Sequence, residues 1–264
     1  MMSNLYETHL HTAESSRCAR SPARDMVHLY RDHGYRGIIV TDHFTGSVSY
    51  VPDRRDDWRR QVDAYCRGYD LAKDEGQRCG LDVFFGIEQC FQGDECLIYG
   101  VDREWLYAHP EIAGWSRSEL LREISAAGGC VVHAHPFRMR SYVDVIRLNR
   151  CVHAIEVFNS GNGELDDRYA LWYARRLGLP MTAGSDTHAV ADRSERTLYG
   201  VAFDAPWAGI QDYVQAVRKG TPFRLHAPCG RGEGELTSLP IPCEEIGENG
   251  EHTPWHRADY STIR

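Results

Sequence analysis

Apolar positions along the chain follow two rhythms. Short runs rich in β-branched and aromatic residues lie at 5–9, 37–41, 83–87, 97–101, 130–133, 154–158 and 181–183, and stretches with helical spacing fall between them. Ser21-Pro22 ahead of 25–33 reads as a cap followed by a first-turn proline, with Gly34 to end the helix. Ser116 and Glu119 form a capping box before Leu120, Leu121 and Ile124. Val62, Tyr65, Tyr69 and Ala72 mark a helix within 56–78, and Leu165, Tyr169, Trp172 and Tyr173 mark another within 164–177. Repeated β-α units predict an α/β fold. From about residue 227 the periodicity stops and glycine and proline accumulate. The expected organisation is therefore one barrel domain over 1–226 and an irregular tail over 227–264, packed on it or trailing from it.

Composition narrows the classes. The 264 residues are 42% hydrophobic and 26% charged, with a net charge of −8, enough for one sizeable core. An acidic balance argues against a stable nucleic-acid partner or an anionic membrane surface. No apolar run is long enough to span a bilayer, and the N-terminal residues show no secretory pattern. Nine scattered cysteines without a Cys-x-x-Cys pair suit reduced thiols, and the expected location is cytoplasmic. Lys73 and Lys219 are the only lysines, which removes most lysine-based chemistry.

Candidate chemistry gathers where the runs end. The first leads into His9-Leu-His11, the second into Thr41-Asp42-His43, the third into Gly86-Ile-Glu88, a later one into His133-Ala-His135-Pro136, and the last into Gly184-Ser-Asp186-Thr-His188. In a barrel of parallel strands these ends converge on one face. His-x-His on a strand presents both imidazoles to one side because side chains repeat with period two. Imidazoles and carboxylates without thiolates describe a hydrolytic site for divalent Zn, Mn or Fe.

This order of motifs resembles the PHP family, the polymerase and histidinol phosphatase domains, over roughly residues 5 to 200. The resemblance implies a distorted (β/α)7 TIM-like barrel holding two or three divalent metal ions, and phosphoesterase activity. It implies that His9, His11, Glu88 and Asp186 build one metal position. Glu88 would bridge to a second completed by His135, and His43 and His188 would hold a third. Two places depart from the pattern. Many members carry an aspartate five residues after the second histidine, where this chain has Ser16, and Glu14 is the candidate replacement. A further ligand often follows the Gly-x-Glu strand, and either Asp94 or Glu95 could supply it.

Arg138 is placed to offer a guanidinium fork to phosphate. His133, read as pointing the same way as His135, is a candidate to protonate the leaving group or to orient a ligand. Glu156 and Asn159 cannot both face inward on a regular strand, and Asn159 is the choice. The stretch 44–60, with Tyr50, Arg54, Arg55 and Trp58, is either a substrate-covering loop or the solvated start of the next helix. Histidines 28, 33, 109, 153, 226, 252 and 256 receive no chemistry.

The expected function is metal-dependent hydrolysis of a small phosphorylated metabolite or nucleotide, a phosphomonoester, by a metal-bridging hydroxide. Two rivals remain. An amidohydrolase-type enzyme would cut a C–N bond, although neither lysine lies at a strand end to serve as a modified bridging ligand. A non-catalytic metal-binding module would keep the metal for stability.

Overall fold

A computed structural model describes residues 4–45, 49, 57–237, 239 and 241–255. Tyr50, Arg54 and Arg55 lie outside them. The strands are β1 (Asn4–Leu10), β2 (Gly37–Val40), β3 (Asp82–Cys90), β4 (Glu95–Tyr99), β5 (Cys130–His133), β6 (Ile146–Asn149), β7 (Ala154–Asn159), β8 (Met181–Gly184), β9 (Gly200–Phe203), β10 (Arg224–His226), β11 (Cys243–Ile246) and β12 (His252–Pro254). The helices are α1 (Ala23–Asp32), α2 (Trp58–Cys79), α3 (Arg103–Ala108), α4 (Arg117–Ala126), α5 (Glu164–Leu177) and α6 (Ile210–Lys219).

Strands β1-β2-β3-β4-β5-β7-β8 are neighbours in that order, and β9 and β10 continue the sheet beyond β1. Thr8 Oγ1 donates to the Ala183 carbonyl at 2.8 Å and the His11 N–H to the Thr187 carbonyl at 2.9 Å, so β8 returns to β1. The result is a distorted, nearly closed TIM-like barrel whose seven strands match the seven apolar runs. One strand departs from the expected parallel order: β4 is antiparallel to both β3 and β5. Its first residues therefore share the rim formed by the last residues of its neighbours, and this places Glu95.

Tyr6, Ile39, Leu97, Tyr99, Val132 and Ala154 fill the interior with Trp207 and the α6 residues Tyr213 and Val214. Tyr6 stacks on Trp207 at 3.6 Å. Tyr6, Tyr99 and Ala154 lie on the halves of their strands away from the motif residues, and the polar groups gather at the opposite mouth. Helices α2, α4 and α5 cover the outside through Val62, Leu120, Ile124, Tyr169 and Tyr173, and α1 does so through Met26, Val27 and Tyr30.

Local details correct the sequence reading. Ser21 does not cap α1; its hydroxyl accepts from Val190 N–H, and Pro22 holds the cap position. Trp58 opens α2 and donates its indole N–H to the Leu106 carbonyl, which fits the helix-start reading of that part of 44–60. The tail is not irregular throughout: β11 pairs in parallel with β6 and antiparallel with β12, and Trp255 packs against Phe137, Trp172 and Tyr173. Among the described residues no helix is long and apolar enough to cross a membrane.

Candidate metal centre

Two breaks in strand register build the site. Glu7 and Leu10 of β1 face Ile38 and Val40 of β2, three steps against two, a bulge that re-aims the end of β1. The second lies in β7, where Glu156 and Phe158 face Thr182 and Ala183. There the expectation that Glu156 and Asn159 could not both face inward fails, because the extra residue shifts the alternation. Asn159 Nδ2 donates to Glu156 Oε2 at 2.9 Å. Glu156 Oε1 stands 3.0 Å from His9 Nδ1, and Glu156 Oε2 accepts from the His135 N–H at 2.9 Å. The backbone also bends out of its usual range at the site: His135 (φ 30°) and Asp186 (φ 52°) adopt positive φ, a conformation that concentrates at functional positions.

The fully buried His9 and His11 face each other, Nε2 to Nε2, at 3.2 Å. Glu88 Oε1 lies 3.3 Å from His9 Nε2 and 3.2 Å from His135 Nε2. Its Oε2 lies 3.2 Å from His11 Nε2 and 2.9 Å from His43 Nδ1. Asp186 Oδ1 is 3.1 Å from His11 Nε2 and 3.4 Å from His188 Nδ1. Glu95 Oε2 is 3.3 Å from His135 Nε2. All the sequence-predicted histidine ligands, with Glu88 and Asp186, are thus brought together, and Glu95 joins them.

Glu14 and Asp94 do not. Both oxygens of Glu14 accept from the Ala23 N–H, at 3.0 and 3.3 Å, so it caps the start of α1, where a carboxylate is favoured. Ser16 sits at the site instead, 3.3 Å from His11 Nδ1 and donating to Asp42 Oδ1 at 2.6 Å. Asp94 forms a fork with Arg117, which holds both carboxylate oxygens. The antiparallel turn from β3 into β4 directs Glu95 inward in its place.

Arg138 is anchored rather than open as a fork. Its Nη2 donates to Asp186 Oδ2 at 2.5 Å and to Asn159 Oδ1 at 2.9 Å, and its Nε donates to Asn162 Oδ1 at 3.0 Å. His133 lines the same cleft as His135. Its Nδ1 makes no hydrogen bond. Burial, aided by the charges of His135 and Arg117, pushes its pKa down to about 3. A ring held neutral in this way is a poor proton donor, so this shift does not favour His133 as the group that protonates a leaving group.

The remaining electrostatics suit a cation. Burial would raise Glu88 and Asp186, yet His43 and His9 hold Glu88 well below its ordinary range, and Arg138, His9 and His188 do the same for Asp186. Burial would lower His9, but Glu156, Asp186 and Glu88 hold it well above its usual value. For His11, burial and the neighbouring His188 and His43 prevail, and its pKa falls well below. A divalent cation would compete with protons for these donors and would relieve the opposed imidazole nitrogens. Glu88 Oε2 makes no hydrogen bond although the side chain is buried. An orphaned carboxylate oxygen among imidazole nitrogens fits a metal ligand. The donors fall into the groups His9–His11–Glu88, His9–His135–Asp186, Glu88–Glu95–His135, His11–His43–His188 and His43–Cys90–Glu95.

Two supports were missed from sequence. Glu7, two residues before His9, accepts from the His9 and Ser185 N–H groups through Oε1 and from the Tyr30 hydroxyl through Oε2. Gly184 leaves the space that His9 and Glu156 occupy, since a Cβ there would lie 2.6 Å from His9 Cβ and 2.7 Å from Glu156 Oε1. Period two from His9 points to Glu7, but its depth under Tyr30 is a tertiary fact. Burial, opposed by hydrogen bonds from Ser185 and Tyr30, pushes the Glu7 carboxyl up from 4.5 to about 7. Between those values the unfolded chain has released this proton and the folded chain keeps it, so stability falls as pH rises. Glu7→Gln is expected to flatten that fall, which amounts to roughly 3 kcal/mol. Urea unfolding of chelator-treated protein from about pH 4.5 to 7 checks it, and an unchanged slope contradicts it.

The cluster floors a cleft of about 720 Å³, also lined by Phe91, Arg138, Tyr142 and Arg147, a size suited to a small molecule.

No family model matches the sequence, and no curated protein matches it. Solved structures do. A two-domain protein from Bacteroides vulgatus, described as containing a predicted PHP-like metal-dependent phosphoesterase, superposes with TM-score 0.60 at 18% identity over 82% of this chain. This chain spans 64% of that protein. PsfC from Pseudomonas syringae gives TM-score 0.55 at 17% identity, covering 88% of this chain and 94% of its own. An amidohydrolase from Chromobacterium violaceum, with bound sulfate and no metal, gives 0.50 at 14% identity, covering 80% and 96%. The chain therefore shares its barrel fold with a protein described as containing a predicted PHP-like metal-dependent phosphoesterase.

Proposed function

We propose that this protein is a metal-dependent hydrolase, and specifically a phosphoesterase that cleaves a phosphomonoester of a small metabolite or nucleotide. The observation that carries the reading is the convergence of His9, His11, His43, His135, His188 and Asp186 around Glu88, whose Oε2 is buried without a hydrogen bond. Divalent cations, Zn, Mn or Fe, supply Lewis acidity toward phosphoryl oxygens and bring the pKa of water toward neutrality. In this reading Glu88 joins two or three cation positions, and Glu156 fixes the orientation of His9 and raises its basicity. Arg138 keeps positive charge beside Asp186 at the wall of the cleft. The cleft volume supports a small substrate, and the acidic surface charge disfavours a stable nucleic-acid partner. A cytoplasmic location belongs to the same proposal, since all nine thiols are free and suit a reducing compartment.

The amidohydrolase reading stays as the second, because one similar structure carries that name. A panel separates the two. Chelator-stripped protein reloaded with Mn, Fe or Zn is assayed on phosphomonoesters, phosphodiesters and amides. Phosphate release from monoesters, abolished by the chelator, is expected. Turnover of amides alone, or of no phosphorylated compound, overturns the proposal.

A further inference from the structure

The proposed chemistry leaves two thiols at the centre unused, Cys18 and Cys90. Cys90 lies two residues beyond Glu88 on β3, so period two puts both on one face, and the antiparallel register sets Cys90 opposite Glu95 of β4. The thiol sulfur is 3.5 Å from His43 Nδ1 and 3.1 Å from Glu95 Oε1. The third edge of that triangle, His43 Nδ1 to Glu95 Oε1, is 3.9 Å. A tetrahedral zinc ion bonded to nitrogen and oxygen at about 2.0 Å and to sulfur at about 2.3 Å needs donor separations of roughly 3.3–3.6 Å, which the three measured edges bracket. These three donors form one of the groups whose ligand atoms lie within 4.8 Å of one another, and Glu88 Oε2 lies 2.9 Å from the same His43 Nδ1.

We infer that Cys90 is itself a metal ligand: with His43 and Glu95 it holds a divalent cation as a thiolate. The inference rests on the metal-centre reading and extends it, since the sequence alone pointed to a thiolate-free set. Binding breaks the S–H bond and forms the metal–sulfur bond, and the proton leaves to solvent. A soft donor in an otherwise nitrogen and oxygen set favours zinc or iron over manganese at that position.

Cobalt(II) substitution tests this without using activity. The Co(II)-loaded full-length protein is expected to show an intense near-ultraviolet sulfur-to-cobalt charge-transfer band that Cys90→Ser abolishes, with loss of about one equivalent of cobalt. Cys18 is the control thiol, since it too lies within hydrogen-bonding reach of His43 and His188, and Cys18→Ser is expected to keep the band. A cobalt-loaded protein without the band overturns the inference while leaving the metal centre intact, and so does loss of the band in Cys18→Ser alone. Failure to bind cobalt at all overturns both. Should Cys90→Ser not fold, zinc-edge X-ray absorption on Cys18→Ser protein decides: one sulfur at about 2.3 Å supports Cys90, and a shell of nitrogen and oxygen only overturns it.

Discussion

Glu88→Gln is expected to retain the fold, lose at least one bound cation and lower phosphate release by roughly three orders of magnitude, about 4 kcal/mol of transition-state stabilisation. The side chain is fully buried and its two oxygens lie against four imidazoles, those of His9, His11, His43 and His135. No other carboxylate among the described residues faces as many of the candidate ligands. The amide keeps the volume and removes the charge, so the barrel core below it is untouched. Far-ultraviolet circular dichroism, metal content and phosphate release read the three consequences separately. Activity within tenfold of the parent at unchanged metal content would contradict the assignment.

The second large effect is on stability and depends on metal. Arg138→Met removes the guanidinium that pairs with Asp186, Asn159 and Asn162. Asp186 is 5% exposed and the Arg138 side chain 17%, so the substitution removes the foremost positive group beside a largely buried carboxylate and leaves it only the imidazoles of His9, His11 and His188. Breaking such a pair costs about 3–5 kcal/mol, and partial exposure of Arg138 places the expectation near the lower end. A cation bound by Asp186 replaces the lost positive charge. The destabilisation should therefore be largest in chelator and smaller after metal is restored. Urea unfolding in both states measures the difference. Equal losses with and without metal would mean that Asp186 does not bind the cation.

Much of the site was legible because its residues sit in short motifs at strand ends, and strand ends are where a β/α barrel collects its chemistry. His9, His11, His43, Glu88, His135, Asp186 and His188 all lie in those motifs, and the family resemblance singled them out from neighbours such as Asp42 and His133. What the sequence hid depends on departures from regular strands. The reversal of β4 decides between Asp94 and Glu95, because it turns Glu95 inward and sends Asp94 to Arg117. The bulge in β7 admits Glu156 beside Asn159, which a strict alternation forbids. Glu14 was expected as a ligand and Arg138 as a fork open to phosphate, yet their partners, the Ala23 N–H and the Asp186 carboxylate, are long-range or loop contacts that no local pattern announces. The strands β6 and β11 were missed for the same reason: they are short, and each is stabilised by the other across nearly a hundred residues of chain.

The central claim is that the histidine–carboxylate cluster is a centre for more than one divalent cation. Metal analysis of the folded protein, stripped with chelator and re-equilibrated with zinc or manganese, tests it most directly. Two or more tightly held equivalents per chain, falling in Glu88→Gln, is the predicted result. A folded protein that retains no divalent cation, or one whose content does not respond to Glu88→Gln, would contradict it.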